Sequence, residues 1–409
     1  MKNEKMKIIS LLVIVALPIS TIALSGCVEE EEIEKILIGV ILPQTGGLSS
    51  IGGDMVKAAQ LAAEHINEEG GILGGKTVEV VIEDSQTAPD PAKLAAQRLI
   101  AKEIQVIVGA AGSSNTLAVA TETEPSEVAL ISPASTSPAL SENDWIFRVV
   151  GDDNLQGKAQ VDLTESLNIT HIVVFSINNA YGAGIHAVML DEANTSGMTV
   201  VHESLYAEIA DSYESNLATI KTAVEDSGQN TTGILVTAYG QQADLIFSSA
   251  HKLGMIAMNG YQWIGNEGIV DAAELLPEGY PTNAEAANGT YGTAPAVPDS
   301  PAEEEFKAAY NAKYGSDPIS YGDYTYDAVR LAAAAIEDAG ANDGAKIRTA
   351  LFNYDANNPY KGVSGDKSFD SNGDIQTQYY DIWKFNGTSF NRGHGFWQNP
   401  INGVEGFIP

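Results

Sequence analysis

Beyond about residue 35, short continuous apolar runs alternate with segments whose apolar residues recur every three or four positions. The runs predict buried strands, and the recurring pattern predicts amphipathic helices. Before residue 155 the predicted strands are 36–42, 76–84, 105–109 and 128–132, and the clearest predicted helices are about 55–66 and 90–102. Strands that alternate with helices favour a parallel sheet covered on both faces.

The same alternation restarts after residue 170. The predicted strands here are 171–175, 198–201, 233–240 and 261–265, with helices at about 182–196, 213–226 and from 241 to Gly254. A Pro/Ala-rich stretch at 293–306 leads into helices at about 302–314 and 323–338, and short strands and turns follow. The pattern therefore predicts an α/β protein with two Rossmann-like lobes, and FRVVGDDNLQG at 147–157 as a crossing between them.

The first 26 residues have the pattern of a secretory signal. Three lysines precede an apolar run at 8–23, and small residues follow it. The run is short for a membrane-spanning helix, although a signal anchor is the alternative. The signal places the remainder of the chain outside the cytoplasm.

The chain has one cysteine, Cys27, and it directly follows the tripeptide LSG. LSGC resembles the lipobox of secreted lipoproteins, in which the cysteine thiol is lipidated and becomes the new N-terminus. A chance cysteine near a cleavage site is the alternative. The resemblance implies a lipid-anchored protein on the extracellular face of the membrane, with residues 27–35 as an acidic tether.

The chain carries 22 Lys and Arg against 54 Asp and Glu, a formal net charge of −32. This balance argues against nucleic acid and anionic lipid surfaces as partners. Five Asn-X-Ser/Thr sequons suit an exported protein, although this short motif also occurs by chance: they begin at Asn168, Asn194, Asn230, Asn288 and Asn386.

Small polar residues follow several predicted strands, where open α/β sheets bind ligands. One example is VIVGAAGSSNTL at 106–117, which has neither the lysine of GxxxxGK[ST] nor the spacing of GxGxxG. A helix that starts there attracts an anion, and we expect a carboxylate rather than a phosphate. The other examples are SPAST at 132–136, AYG at 238–240 and GNEG at 265–268.

In their order and spacing, these segments resemble the type I periplasmic-binding-protein superfamily, specifically the leucine/isoleucine/valine-binding proteins of ABC importers. The resemblance covers about 36–409. The segments that carry it are IGVILPQTGGLSSIGGDMVKAAQLAAEHINEEGGILGGKTVEVVIED, VGAAGSSNT, LISPASTSP, GDDNLQG, NNAYGAG, TAYGQQADLI, WIGNEG and YTYDAVRLAAAAIE.

The resemblance implies two lobes, joined by three crossings, that close on a small-molecule ligand in the manner of a Venus flytrap. Lobe 1 would comprise 33–153 and 292–365, and lobe 2 would comprise 154–291 and 366–409. It further implies an amino acid as ligand, most of all a branched-chain one, an ABC permease as partner, a monomer, and neither a cofactor nor a metal.

Carried over position by position, the resemblance assigns the ligand's carboxylate to Ser113 and its ammonium to Glu267. The SPAST turn would help to hold both ends, and two tyrosines would line the cleft; these residues are Ala134, Ser135, Thr136, Tyr181 and Tyr239. Branched-chain binders tend to have an aromatic residue after the first glycine loop, whereas this chain has Ile51 or Gly52 there. That departure leaves amides, urea and aromatic acids open as ligands.

Each candidate residue also has a purely structural interpretation. Ser113 could cap a helix, Thr136 could stabilise its turn, the tyrosines could be packing residues, and Glu267 could be a solvated loop acid. An enzyme is the rival from another class, but HExxH and GxSxG are both absent. A ligand-sensing module of the same fold is a second rival, and the sequence shows no second hydrophobic span.

Overall fold

The computed structural model describes residues 35–142, 145–393, 396–399 and 406–408, which form two large β-sheets flanked by helices and one short hairpin. The predicted signal peptide, Cys27 and residues 27–34 of the tether lie outside the described residues. Among the helices that are described, none combines the length and the apolar character needed to cross a membrane.

The first sheet has five parallel strands in the order β2-β1-β3-β4-β5. Its strands are β1 Lys35–Leu42, β2 Thr77–Asp84, β3 Val106–Gly109, β4 Ala129–Ser132 and β5 Ile146–Arg148. The connecting helices are α1 Ser49–Glu68, α2 Pro89–Ile100 and α3 Ser113–Thr123. Central β3 and β4 are buried on both faces, as their continuous apolar runs predict.

The second sheet begins with five parallel strands: β6 His171–Ile177, β7 Thr199–Tyr206, β8 Thr232–Thr237, β9 Tyr261–Gly265 and β10 Tyr291–Ala296. Its helices are α4 Asp153–Ser166, α5 Ala180–Thr195, α6 Glu214–Ser227, α7 Gly240–Leu253 and α8 Pro281–Ala287. The predicted crossing at 147–157 is therefore shorter than expected, because the Asp152 side chain accepts a hydrogen bond from the Asn154 N–H and caps α4.

Late strands complete the second sheet and make it mixed rather than wholly parallel. They are β13 Gln378–Phe385, β14 Phe390–Asn391, β15 Phe396–Asn399 and β16 Gly406–Ile408, and β13 pairs antiparallel with β10. A short turn at 386–389 joins β13 to β14, and so short a turn can connect only antiparallel neighbours. The strand order is β16-β15-β13-β10-β9-β8-β6-β7, with β14 on β13.

Three helices between β10 and β13 return to the first sheet: α9 Pro301–Tyr314, α10 Gly322–Ala339 and α11 Gly344–Phe352. A hairpin of β11 Tyr360–Gly362 and β12 Gly365–Lys367 follows them. Helix α10 carries twelve buried residues and packs on α1, so the same core contains Met55 and Val329. The first lobe is thus built from two separate segments of the chain.

The chain passes between the two sheets at 149–152, 297–300 and 368–377. These positions differ from the predicted boundaries at 292 and 366. Strand β10 belongs to the second sheet, although its proline and alanines resemble a linker; Pro295 lies beyond the two residues that pair with β9. Phe369 and Ile375 still pack in the core of the first lobe.

Candidate functional site

A cavity lies between the two sheets, at the carboxyl ends of their strands. Its volume is about 50 Å³. Six of the seven predicted ligand residues line it: Ser113, Ala134, Thr136, Tyr181, Tyr239 and Glu267. The folded chain therefore brings together residues that lie up to 154 positions apart in the sequence.

Ser113 occupies the first turn of α3 and lines the cavity from the first lobe. It is not the helix cap, because Gly112 takes that position and makes no side-chain hydrogen bond. The Ser113 Oγ accepts a hydrogen bond from the Ser137 N–H at 3.2 Å, so its own hydroxyl hydrogen remains available to an anion. The helix start adds backbone N–H donors, and this part of the cavity wall suits a carboxylate.

The SPAST turn contributes two cavity residues and one structural residue. Ala134 and Thr136 line the cavity, whereas the buried Ser135 hydroxyl lies 2.8 Å from the Thr116 hydroxyl and does not reach the cavity wall. The Ser135 N–H also donates to the Ser132 hydroxyl at 3.0 Å. Ser135 therefore holds the shape of the turn.

Tyr181 and Tyr239 stack against each other, with ring centroids 5.8 Å apart and ring planes within 11° of parallel. Each follows a strand of the second sheet: Tyr181 lies in the first turn of α5 after β6, and Tyr239 directly precedes α7 after β8. Burial raises the pKa of both hydroxyls above the ordinary value, so both stay protonated at neutral pH. Together they form a neutral wall opposite the first lobe.

Glu267 follows β9 and is buried, so it is not the solvated loop acid of the structural alternative. Its carboxylate accepts a hydrogen bond from the Gln156 amide and another from the Tyr181 hydroxyl. Burial raises the pKa of this carboxyl, and both hydrogen bonds partly oppose that rise. A buried carboxylate that faces a cavity supplies an acceptor for a cationic group.

Asp153 is a second buried carboxyl beside Glu267, and sequence reasoning missed it. Its exposure is 0%, and among the described residues neither carboxylate oxygen has a well-formed hydrogen bond. Burial and the negative charge of Glu267 raise its pKa well above the ordinary value, and the nearby Thr136 hydroxyl offsets this only in part. Its location in GDDNLQG, a predicted crossing, gave no sign of a site.

The remaining cavity wall is largely apolar. Its larger apolar members are Leu48, Ile51, Val270, Ala272, Ile319 and Tyr321, and its polar members are Ser50, Asp271 and Ser320. Ile51, rather than Gly52, takes the position after the first glycine loop, because a side chain at Gly52 would come within 1.9 Å of the Pro43 carbonyl oxygen. These wall residues have no shared motif in the sequence, and Tyr321 arrives from a turn between α9 and α10.

The two lobes touch beside the cavity through Ala180 at the start of α5. The Ala180 N–H donates to the Ser114 hydroxyl at 3.0 Å, and the Ser137 hydroxyl donates to the Ala180 carbonyl at 2.7 Å. Both serines belong to the first lobe, next to the cavity residues Ser113 and Thr136. The structure is therefore a form in which the lobes are in contact.

The described residues contain no group of three or more His, Cys, Asp and Glu side chains placed to hold a metal ion. The cavity wall has hydroxyls, an amphipathic tyrosine pair, apolar side chains and carboxylates, but no lysine or arginine. The first lobe supplies hydroxyl donors, and the second lobe supplies a buried acid. This arrangement suits a small molecule that carries both charges.

Comparison with known proteins agrees with this geometry. The chain is 28% identical over 356 residues to an amino acid binding protein of Pseudomonas aeruginosa, a match that covers 86% of this chain and 90% of that protein. Its fold is similar to the crystal structure of the leucine binding protein LivK of Thermotoga maritima, with a TM-score of 0.76, 28% identity and coverage of 88% and 97%.

A second similar structure is LivJ of Streptococcus pneumoniae in complex with isoleucine, a branched-chain amino acid transporter substrate binding protein. The TM-score is 0.73 at 25% identity, and the match covers 88% of this chain and 100% of that one. The predicted type I periplasmic-binding-protein fold is confirmed. Residues 55–388 match the model of the receptor family ligand binding region, and the chain belongs to that family.

Proposed function

We propose that this protein is the solute-binding component of an ABC importer and that its ligand is an amino acid, most of all a branched-chain one. The observation that carries the proposal is the pairing of Ser113 with Glu267 across one buried cavity. A free amino acid needs donors for its carboxylate and an acceptor for its ammonium. A charge buried by lobe closure is tolerated only when it is paired and hydrogen-bonded.

The side chain of the ligand would pack against the apolar wall. Leu48, Ile51, Val270 and Ile319 offer aliphatic contacts and no charged partner. A branched aliphatic side chain buries its surface there without leaving a polar group unpaired. The relatives named above, one of which holds isoleucine, support the same class of ligand.

Binding would proceed by closure of the two lobes. The first lobe supplies Ser113 and Thr136, and the second supplies Tyr181, Tyr239 and Glu267. A ligand held by both lobes has contacts that the open form lacks, and only this difference in contact energy shifts the equilibrium toward closure. The closed carrier, lipidated at Cys27 on the extracellular face, would then deliver the ligand to its permease.

Isothermal titration calorimetry of the purified protein against a panel of amino acids tests the proposal. Mass spectrometry of small molecules released on denaturation identifies any ligand that is carried through purification. We expect leucine, isoleucine or valine to bind more tightly than glutamate or lysine, because the wall is largely apolar and its further carboxylate, Asp271, is already paired with Arg392. The proposal would be contradicted if the protein bound an aromatic acid or an amine-free amide tightly and bound no amino acid.

A further inference from the structure

The five sequons lie in one part of the structure, although they are far apart in the sequence. All five asparagines are exposed, and all belong to the segments that build the second sheet. The segments of the first lobe also expose asparagines, such as Asn342, Asn353 and Asn357, but none of these starts a sequon. The motif is therefore confined to one lobe.

Within that lobe the sequons lie along a single edge of the sheet, at the amino ends of its parallel strands. Asn168 and Asn230 lie in the loops that lead into β6 and β8, and Asn288 leads into β10. Asn194 closes α5 just before β7. Asn386 follows β13, which runs antiparallel to β10, so the end of β13 lies at the same edge.

Hydrogen bonds between the sequon loops show how close they are. The Thr199 N–H, at the start of β7, donates to the Thr170 carbonyl at 2.9 Å, which joins the loops of Asn168 and Asn194. The Phe385 N–H donates to the Thr290 carbonyl at 2.8 Å, which joins the loops of Asn288 and Asn386. We call this edge, with its five sequons, the distal edge.

The cavity lies at the opposite edge, because Tyr181, Tyr239 and Glu267 follow the carboxyl ends of β6, β8 and β9. Several asparagines lie on that side, but none has Ser or Thr two positions later: Asn154, Asn178, Asn179 and Asn266. A bulky group on the distal edge would leave the cavity and the contact between the lobes unobstructed.

Two sequon threonines have hydroxyls that the folded structure does not use. Thr232 and Thr290 are buried, and among the described residues neither Oγ1 has a hydrogen-bond partner. A buried hydroxyl without a hydrogen-bond partner is unfavourable, and valine would fill the same space without a hydroxyl. Recognition of the sequon before folding supplies a reason for threonine at both positions.

We propose that the distal edge of the second lobe is N-glycosylated. In the reaction the Asn Nδ2 forms a bond to C1 of an oligosaccharide that is carried on a lipid phosphate. The bond between C1 and the phosphate oxygen breaks, that oxygen keeps the electron pair, and Nδ2 loses one proton to a base. The product is an amide-linked sugar on each occupied asparagine.

Burial also sets the order in which the sites become available. The third residues of the first two sequons, Thr170 and Ser196, are exposed, so Asn168 and Asn194 remain open to a transferase after folding. Thr232 and Thr290 are buried as soon as β8 and β10 join the sheet. The sites at Asn230 and Asn288 must therefore be modified before that step.

Mass spectrometry of the full-length protein from the cells that naturally produce it tests this proposal. We expect sugar on at least two of the five sequon asparagines and none on Asn259, an exposed asparagine of the same edge that is followed two positions later by Tyr261. Sugar on one sequon or none would overturn the proposal. Sugar on Asn259 would show that the sequon does not determine which asparagines are modified.

Matched variants separate glycosylation from folding. Thr232→Val should remove the sugar at Asn230 without lowering the thermal midpoint of unfolding, and Thr170→Ser should keep the sugar that Thr170→Val loses. Replacing all five asparagines by glutamine should leave ligand affinity within about two-fold, because distant sites act independently. Retention of sugar at Asn230 in Thr232→Val would contradict the assignment, whatever ligand the cavity binds.

Discussion

The guanidinium of Arg148 lies 2.5 Å from the carboxylate of Asp374, and this pair links the third crossing to the first lobe. Arg148 is fully buried, and its Nη1 also donates to the carbonyls of Thr136 and Ser137 at 3.0 and 2.9 Å. The same arginine therefore holds the turn that contains Thr136, which lines the cavity, and Ser137, which contacts the second lobe. A charge buried this deeply depends on its partner.

The first prediction concerns that ion pair. Asp374→Asn should lower the free energy of unfolding by about 3–5 kcal/mol, because it removes the nearer carboxylate of the buried guanidinium and leaves only Asp152, at 3.9 Å. Urea denaturation measures this change. Glu69→Gln is the control, since it removes an exposed partner of Arg330 and should cost less than about 1 kcal/mol. Equal losses in the two variants would refute the prediction.

The second prediction concerns the proposed ammonium site. Glu267→Gln keeps the shape of the side chain but removes its charge, so affinity for an amino acid should fall by about thirty-fold or more, equivalent to about 2–5 kcal/mol. Ser113→Ala should weaken binding less, because backbone N–H groups at the start of α3 still face the carboxylate. Calorimetry gives both values, and the reverse order would argue against the assigned orientation.

The third prediction concerns pH. Burial raises the pKa of both Asp153 and Glu267, so the ligand-free folded form holds protons to a higher pH than the unfolded chain does. This contribution to stability is complete below the ordinary carboxyl pKa of about 4 and is lost as pH rises through the raised values. An ammonium ligand favours the ionised forms and should therefore release protons when it binds.

Two measurements check this sign. Affinity should increase as pH rises from about 5 toward 7, and calorimetry in buffers of different ionisation enthalpy should detect the released protons. In Asp153→Asn the proton release should shrink, because one of the two coupled carboxyls no longer titrates. Affinity that is flat across this range, with no release of protons, would show that ligand binding does not displace protons from these carboxyls.

The fourth prediction concerns closure. Ser114→Ala removes the acceptor for the Ala180 N–H without altering the cavity wall. Loss of this contact should make the closed form less populated, so small-angle scattering should show a larger radius of gyration at subsaturating ligand than for the wild type. Saturating ligand should make both proteins more compact. Wild-type scattering that does not change on binding would contradict the closing mechanism.

The fifth prediction concerns the anchor, which depends on Cys27 in LSGC. Cys27→Ser removes the only thiol of the chain, so the variant should carry no lipid and should no longer partition with membranes. Detergent phase separation and intact-protein mass spectrometry measure the two effects. If the wild-type Cys27 carries no lipid and the variant still partitions with membranes, an anchor at this residue is excluded.

The sequence predicted the α/β alternation well because the central strands, such as β3, β4 and β6, are continuous apolar runs with clear ends. The sequence was less informative where the composition of a segment does not match its structural role. Strand β10, with two alanines and Pro295, looks like a linker, and only its partners in space make it a strand. Helix α4 was hidden in the expected crossing because its first turn is polar.

The cavity residues likewise divide into those that the sequence indicated and those that it did not. Ser113, the tyrosines and Glu267 follow recognisable strand ends, so motif and position both pointed to them. Ile319 and Tyr321 come from a turn between two helices, and their place in the wall depends on how α10 packs against the first sheet. Such residues belong to no local pattern, since their neighbours in space are far away in the chain.

The discontinuity of the first lobe limits the order in which the protein can assemble. Helix α10, which packs on α1, is synthesised only after all five parallel strands of the second sheet. A growing or newly exported chain therefore cannot bury the first lobe's core until about residue 340 is available. The lobe that begins the sequence must therefore wait for most of the other lobe to be made before its own core can close.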